Sequence, residues 1–146
     1  MPFLPTDLAE ELGAVRLTQL ALESVLEEDV ASGEFRAGPG LQCHQHRMLL
    51  TLMSYAYARG VFGSEEIQER VRTDGDLRYL CAREFPEAES LRLFRRREWA
   101  RLNRTLIRLL ERFVRIRRPD WPGDVALEAV ARMERAAAAD SLALDY

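Results

Sequence analysis

The apolar residues of this chain recur at spacings of three and four, the period of an α-helix, and the pattern is clearest between residues 90 and 118. One apolar seam runs through this segment, formed by Trp99, Leu102, Leu106, Leu109, Phe113 and Ile116. Arginines follow the same period on the other side of the helix, at Arg97, Arg101, Arg104, Arg108 and Arg115. The sequence therefore predicts one long helix with a packing face and a cationic face.

Helix start and stop signals recur along the rest of the chain, without alternating strand-like runs. Six helices are predicted: one opened by Thr6 and ending near Ala31-Ser32-Gly33, one over 44–59, one capped by Ser64, one begun by Asp74 or Asp76, one from Ser90 to Arg118, and one capped by Asp124. The fold class is therefore predicted to be all-α, a single domain of about six helices.

Two stretches rich in proline and glycine divide the chain. Residues 33–40 hold three glycines and one proline, and 119–123 read PDWPG, both typical of connections between helices. We therefore divide the chain into 1–40, 41–118 and 119–146. The first segment is predicted to pack through an apolar stripe formed by Leu8, Leu12, Val15, Leu22 and Leu26.

Charge is segregated between these segments. Residues 1–40 carry two arginines and eight acidic residues, a net charge of −6, and 119–146 carry two arginines and six acidic residues, a net charge of −4. The middle segment has seventeen arginines against ten acidic residues, a net charge of +7. This asymmetry indicates either an anionic partner or charge pairing within the protein.

Cysteine content and the N-terminal residues bear on the compartment. Cys43 and Cys81 are too few for a disulfide framework. The first residues are acidic and lack the basic start and apolar run of a secretory signal. The longest apolar run, 48–58, is too short to span a bilayer. We therefore predict a cytoplasmic protein that does not contact a membrane.

One group of cysteine and histidine residues has the side-chain types of a metal site. Cys43, His44 and His46 offer sulfur and imidazole ligands that suit zinc, with Cys81 as a fourth. Their spacing matches no recognised zinc pattern, and Cys81 falls on a predicted core stripe. No acid–base pair, phosphate loop or dinucleotide motif stands at usable spacing. We predict no bound metal, no cofactor and no enzymatic activity.

Each face of the long helix has two interpretations. The arginine face is either a solvated surface paired with Glu98, Glu111 and the acidic first helix, or a surface that contacts nucleic acid. The apolar seam is either part of the protein's own core or, because its spacing approaches a heptad repeat, the interface of a homodimer.

Between His46 and Phe113, several residues stand in a distinctive order. The ordered set is Gly60, Ser64 and Ile67, then Leu80, Pro86 and Ser90-Leu91, then Phe94-Arg95-Arg96-Arg97. In this order the segment, about half of the chain, resembles the N-terminal domain of InsH-type insertion-sequence transposases. The resemblance implies a helix-turn-helix-like core and a module that binds duplex DNA ahead of a separate catalytic domain.

The resemblance also implies which residues contact DNA. It makes the helix at Ser64 a supporting element and the start of the long helix the reader of the groove. The expected DNA-binding residues are Ser90, Arg92, Arg95, Arg96, Arg97, Arg101 and Arg104. The Asp, Asp and Glu set of a transposase catalytic domain has no counterpart in this all-helical pattern, so nuclease and strand-transfer activity are not expected.

At three positions this chain is acidic where the family tends to be cationic or neutral. These are Glu65, Glu89 and Glu98. A carboxylate beside a phosphate removes attraction and adds repulsion. Two hypotheses follow: a non-catalytic DNA-binding domain of a transposase or transposase-derived protein, and a helical oligomerisation or regulatory module that has lost DNA binding. The second could form a homodimer or pair with an intact transposase.

Overall fold

A computed structural model describes residues 3–33, 41–82 and 84–144, with only the backbone described at 41–44 and 143–144. The described residues form eight helices and no strand, which confirms the predicted all-α class. The helices are α1 (Ala9–Leu12), α2 (Ala14–Ser32), α3 (Leu41–Ala58), α4 (Ser64–Arg70), α5 (Gly75–Leu80), α6 (Ala88–Arg97), α7 (Trp99–Arg117) and α8 (Val125–Leu144). No described helix has the length and apolarity needed to cross a membrane.

The count exceeds six because two predicted helices are each divided. Gly13 has φ of +88° and ψ of +149°, which separates α1 from α2. Glu98, with φ of −109° and ψ of +30°, separates α6 from α7, so the long helix predicted from Ser90 to Arg118 is two helices. The predicted end of the first helix is confirmed, because Gly33 closes α2 in the left-handed conformation.

Helix α7 lies at the centre of the protein and packs against α2, α3 and α8. The middle of its apolar seam, Leu102, Leu106, Leu109 and Phe113, is fully buried. The seam is therefore intramolecular core, and the alternative of a homodimer interface along it is wrong. The core cluster draws residues from all three segments of the chain.

The apolar stripe predicted for the first helix is wrong for α2. Val15, Leu22 and Leu26 are exposed. The buried face of α2 instead carries a mixture of apolar and polar residues, namely Leu17, Thr18, Leu20, Ala21, Ser24, Val25, Glu28 and Asp29. Leu8, which precedes α1, is fully buried, as expected. The predicted face failed because two acidic residues on α2 point inward, where arginines of α7 receive them.

Helix α8 is attached by a buried carboxylate. Asp140 accepts hydrogen bonds from the Ser64 backbone amide at 2.8 Å and from the Ser64 hydroxyl at 2.9 Å. It also accepts one from Arg95 Nη2 at 2.9 Å. All three side chains are buried. One carboxylate of α8 therefore holds the start of α4 and the body of α6 together.

A buried arginine makes the second attachment. Arg132 of α8 donates from Nη1 to the carbonyl oxygens of Thr6 and Tyr57, and from Nη2 to that of Pro5. Burial lowers the pKa of Arg132, and Glu128 opposes that shift. Because the Tyr57 carbonyl lies at the C-terminal end of α3, the cation meets the negative end of that helix dipole.

The N-terminal segment lies directly over the end of α3. Gly60 has a φ of +79°, and a Cβ there would come within 2.6 Å of Thr6 Cγ2. Leu8 donates its amide to the Ala58 carbonyl at 3.0 Å. Glycine at this position permits both the left-handed turn and the close approach of the chain.

We expect Asp140→Ala to lower the free energy of unfolding by about 3–5 kcal/mol, because it leaves the buried Arg95 cation without its carboxylate. Urea denaturation followed by circular dichroism measures the change. The matched control is Asp120→Ala in the exposed turn after α7, for which a change within about 0.5 kcal/mol is expected. Equal stability of the two variants would show that Asp140 does not hold the helices together.

Candidate nucleic-acid interface

The arginines of α7 face the acidic row of α2 across an antiparallel helix pair. Arg104 Nε lies 3.0 Å from Glu28 Oε2, and Arg108 Nε lies 3.2 Å from Glu28 Oε1. Further toward the end of α7, Arg112 Nη2 lies 2.5 Å from Glu27 Oε2. We call these contacts, with those of Asp29 and Glu23, the α2–α7 ion-pair ladder.

Asp29 is the buried end of the ladder. Its carboxylate is fully buried and lies 2.6 Å from Arg47 Nε of α3 and 2.6 Å from Arg101 Nη2 of α7. A carboxylate buried in this way is stable as an anion only with such partners. Asp29 therefore joins three helices through one charge.

The exposed end of the ladder is more loosely paired. The hydrogen bond from Arg112, together with weaker contributions from Arg108, lowers the pKa of Glu27. Arg112 Nε also lies 3.6 Å from Glu23, whose side chain is 60 % exposed. Pairing at this end is screened by water, and each contact contributes little to stability.

Two predicted DNA-binding residues of α7 are paired with carboxylates of α2. Arg101 is only 7 % exposed and binds Asp29. Arg104 is about half exposed and donates to Glu28. The predicted phosphate contact of Arg101 does not agree with this placement, because its guanidinium group is enclosed by α2.

On α6, the residues predicted to read DNA point in different directions. Arg95 is 5 % exposed and bound to Asp140, which places it on the core face beside Leu91 and Phe94. Arg92 is largely buried and lies 3.8 Å from Glu65. The prediction of a phosphate contact does not agree with the position of Arg95, because its cation is the counter-charge of a buried carboxylate.

Three predicted residues of α6 are exposed. Ser90, Arg96 and Arg97 share the face directed to solvent. The sequence predicts a helix that starts at Ser90, whereas α6 begins at Ala88. The Ala88 amide donates to Gln68 Oε1 of α4 at 2.7 Å, so a neighbouring helix supplies the cap.

The groove between α4 and the start of α6 is acidic. Its lining includes Glu65, Glu69, Glu87 and Glu89, with Arg72 and Arg92 as the cations. This is the surface that the transposase resemblance makes the groove reader. Four carboxylates against two guanidinium groups repel a phosphate backbone rather than attract it.

The four residues of the metal interpretation are only partly described. The side chains of Cys43 and His44 lie outside the described residues, as do positions 34–40 of the connection predicted over 33–40. His46 Nδ1 lies 3.7 Å from Glu98, and Cys81 is a buried free cysteine. Among the described residues, no group of three or more His, Cys, Asp and Glu is arranged to hold a metal ion.

Sequence reasoning missed two surface features. One is an exposed apolar stripe on α2, and the other is a cationic cleft between the start of α2 and the end of α7. The signal for the stripe was available: α2 has apolar residues on two faces, and Glu28 and Asp29 share a face with Leu17 and Val25. Matching these acidic residues to the arginines of α7 would have identified the buried face.

No protein-family model, curated protein or solved structure matches this chain. Function is therefore inferred from the geometry of its own residues.

We expect Asp29→Asn to destabilise the protein by about 3–5 kcal/mol, because it removes the charge that Arg101 requires in a buried position. Chemical denaturation at neutral pH measures the effect. Glu23→Gln, in the same ladder but exposed, should change stability by no more than about 1 kcal/mol. If both variants lose the same small amount, the buried end of the ladder does not anchor the fold.

Proposed function

We propose that this chain is a non-catalytic helical oligomerisation module that associates with a second copy of itself through α2. The observation that carries the proposal is the apolar stripe on the solvent face of that helix. Val15, Leu22, Leu26 and Val30 are 72 %, 39 %, 53 % and 68 % exposed. Soluble proteins rarely align several large apolar residues on one exposed face unless that face binds something.

The stripe is distinct from the core face of α2. Its members are separated by seven, four and four residues, so they lie within about a quarter of the helix circumference. The opposite side of α2 packs on α7 and α3. The stripe therefore lies outside the core, and only contact with another molecule would bury it.

A second copy of the chain is the occupant that the stripe fits best. Along α2 its residue types read Val, Leu, Leu, Val in either direction. In an antiparallel pair whose two-fold axis passes midway between Leu22 and Leu26, each of these leucines lies opposite the partner's other leucine. Val15 and the partner's Val30 are then offset by about 4.5 Å along the helix. Such self-complementarity is the requirement of an isologous dimer.

The size of the stripe indicates a weak dimer. From Val15 to Val30 it extends about 22 Å along the helix. One helix pair in contact over that length buries less than the roughly 800 Å² per partner of a standard stable interface. We therefore expect reversible association with a dissociation constant on the order of micromolar.

The charge arrangement supports an interaction module over a DNA reader. Five arginines that the sequence offers for phosphate binding, Arg92, Arg95, Arg101, Arg104 and Arg108, have carboxylate partners within the protein. Their contact with DNA would require breaking those pairs. The acidic groove between α4 and α6 adds repulsion at the predicted reader.

Leu22→Asp combined with Leu26→Asp should abolish self-association, because two carboxylates would meet their symmetry mates in the centre of the stripe. Sedimentation velocity across a concentration series measures the monomer–dimer equilibrium. The matched control is Leu127→Asp with Leu142→Asp, which changes two exposed leucines of α8 outside the stripe.

The control should dimerise like the unmodified chain, and both variants should keep their helical circular dichroism. A chain that stays monomeric at about 100 μM would contradict the proposal. So would equal loss of association in both variants. If the chain is monomeric but binds an intact transposase through the stripe, the partner at the stripe is a different protein, and the proposal of self-association is wrong.

Duplex DNA binding is the second candidate function, and one observation favours it. Arg96 and Arg97 are exposed on α6, and neither has an ion-pair partner among the described residues. They are the members of the predicted site that are cationic, adjacent and accessible. In this second candidate function, the solvent-exposed face of α6 contacts the phosphate backbone of DNA.

If these two arginines neutralise two phosphates, the logarithm of the association constant should fall against the logarithm of salt concentration with a slope of about −1.8. Arg96→Ala with Arg97→Ala should bring the slope close to zero. Arg78→Ala with Arg117→Ala removes the same charge from two exposed positions outside α6 and should leave it unchanged. No fluorescence-anisotropy change with duplex DNA at low salt would exclude this function.

A further inference from the structure

We propose that the cleft between the start of α2 and the end of α7 binds a small phosphate-bearing anion. The cleft has a volume of about 250 Å³. Three arginines line it, Arg16 from α2 and Arg112 and Arg115 from α7, and Glu23 is its one acidic residue. The inference is independent of self-association and of DNA binding.

Two of the three cations are uncompensated. Among the described residues, neither Arg16 nor Arg115 has an ion-pair partner, and both are exposed. This contrasts with the rest of the α2–α7 contact, where arginines meet carboxylates along the ladder. The ladder stops short of this end, and unpaired guanidinium groups remain.

The third cation lies against α2. The Arg112 side chain is mostly buried, and its Nη2 lies 2.5 Å from Glu27. Its Nε is 3.6 Å from Glu23, beyond an ordinary hydrogen bond. Arg112 therefore presents a positioned donor at the side of the cleft, at little further cost in side-chain entropy.

The charge of the cleft fits a phosphate group. Glu27 compensates Arg112, so Arg16 and Arg115 supply a charge of +2 that Glu23 reduces to +1. When Glu23 leaves the cleft, the charge of +2 matches a dianion. Guanidinium groups bind phosphate oxygens through paired N–H donors, and charge-assisted bonds of this kind are stronger than neutral ones. A phosphate or diphosphate group offers enough oxygens for three arginines, whereas a single carboxylate offers two.

The carboxylate of Glu23 would compete with a bound anion for Arg112. Its carboxylate lies near Arg112 and its side chain is 60 % exposed, so it can leave the cleft without unfolding α2. A bound phosphate would replace Glu23 as the partner of Arg112 Nε. Removing this carboxylate should therefore improve anion binding, an effect opposite to that of removing an arginine.

Isothermal titration calorimetry with sodium pyrophosphate tests the proposal, with sodium chloride added to keep ionic strength constant. The unmodified chain should bind one equivalent. Arg16→Gln with Arg115→Gln should weaken binding about tenfold or more, because two charge-assisted contacts are lost. Glu23→Gln should strengthen it severalfold. Arginine Nε resonances of the cleft should shift on titration in nuclear magnetic resonance spectra.

The matched control is Arg96→Gln with Arg97→Gln, which removes the same charge from α6 and should bind pyrophosphate within about twofold of the unmodified chain. Equal weakening by both double variants would mean that binding follows net charge and would overturn the site. So would no heat and no shift at about 10 mM pyrophosphate, or an unchanged affinity in Glu23→Gln.

A parallel titration with duplex DNA separates the possible sources of phosphate. Duplex binding that depends on Arg16 and Arg115, without pyrophosphate binding, would overturn the small-anion assignment and place nucleic acid in the cleft. Because Arg16 and Arg115 are exposed and unpaired, their glutamine variants should melt at the same temperature as the unmodified chain, so a loss of binding reports on the cleft.

Discussion

The buried carboxylate of Asp29 is the constraint on which the rest of this structure depends. It lies on α2, yet it receives Arg47 from α3 and Arg101 from α7, so its charge is stable only when all three helices are in place. That requirement fixes the rotation of α2 about its axis. With Asp29 and Glu28 paired to α7, the residues Leu17, Ala21 and Val25 are buried, and Val15, Leu22 and Leu26 are exposed.

The same constraint decides the electrostatics of the surface. Arginines that would otherwise give α7 a cationic face are paired with α2, and Arg95 is paired with Asp140 of α8. The segregation of charge along the chain is therefore largely cancelled when the chain folds, since the acidic first and last segments supply partners for the basic middle. What remains at the surface is local: an acidic groove beside α6, two exposed arginines on α6, and the cationic cleft where the ladder ends. These local features, rather than the net charge of a segment, determine which partners the protein can bind.

The sequence left open whether the arginine face of residues 90–118 contacts nucleic acid or pairs with acidic residues of the protein. The answer depends on which helix lies beside that face, and the sequence does not show this. Helical spacing located Arg101 and Arg104 on one face of a helix, but it did not identify α2 as the neighbour of that face. Spacing alone also made residues 90–118 one helix, whereas a non-helical residue at Glu98 lets α6 pack on α4 while α7 enters the core. The resemblance to transposase N-terminal domains implied that Ser90 and Arg95 contact DNA, and the sequence pattern placed the start of the helix at Ser90. In the structure Gln68 caps α6 and Arg95 serves a buried carboxylate, because tertiary contacts outweigh local preference where a charge is buried.

The sequence by itself determined the helical class, the end of α2 at Gly33 and the apolar seam of α7, because periodicity and glycine conformation act within one helical turn. It did not determine which face of α2 is buried, since that helix carries apolar residues on two faces and buried acidic residues on one. Only the tertiary structure decided that question, by providing cations at the positions where the carboxylates of Glu28 and Asp29 enter the core. Both surface features follow from that pairing. The exposed stripe is the apolar face of α2 that lies outside the core. The cationic cleft lies at the end of α7, where arginines outnumber the acidic residues of α2.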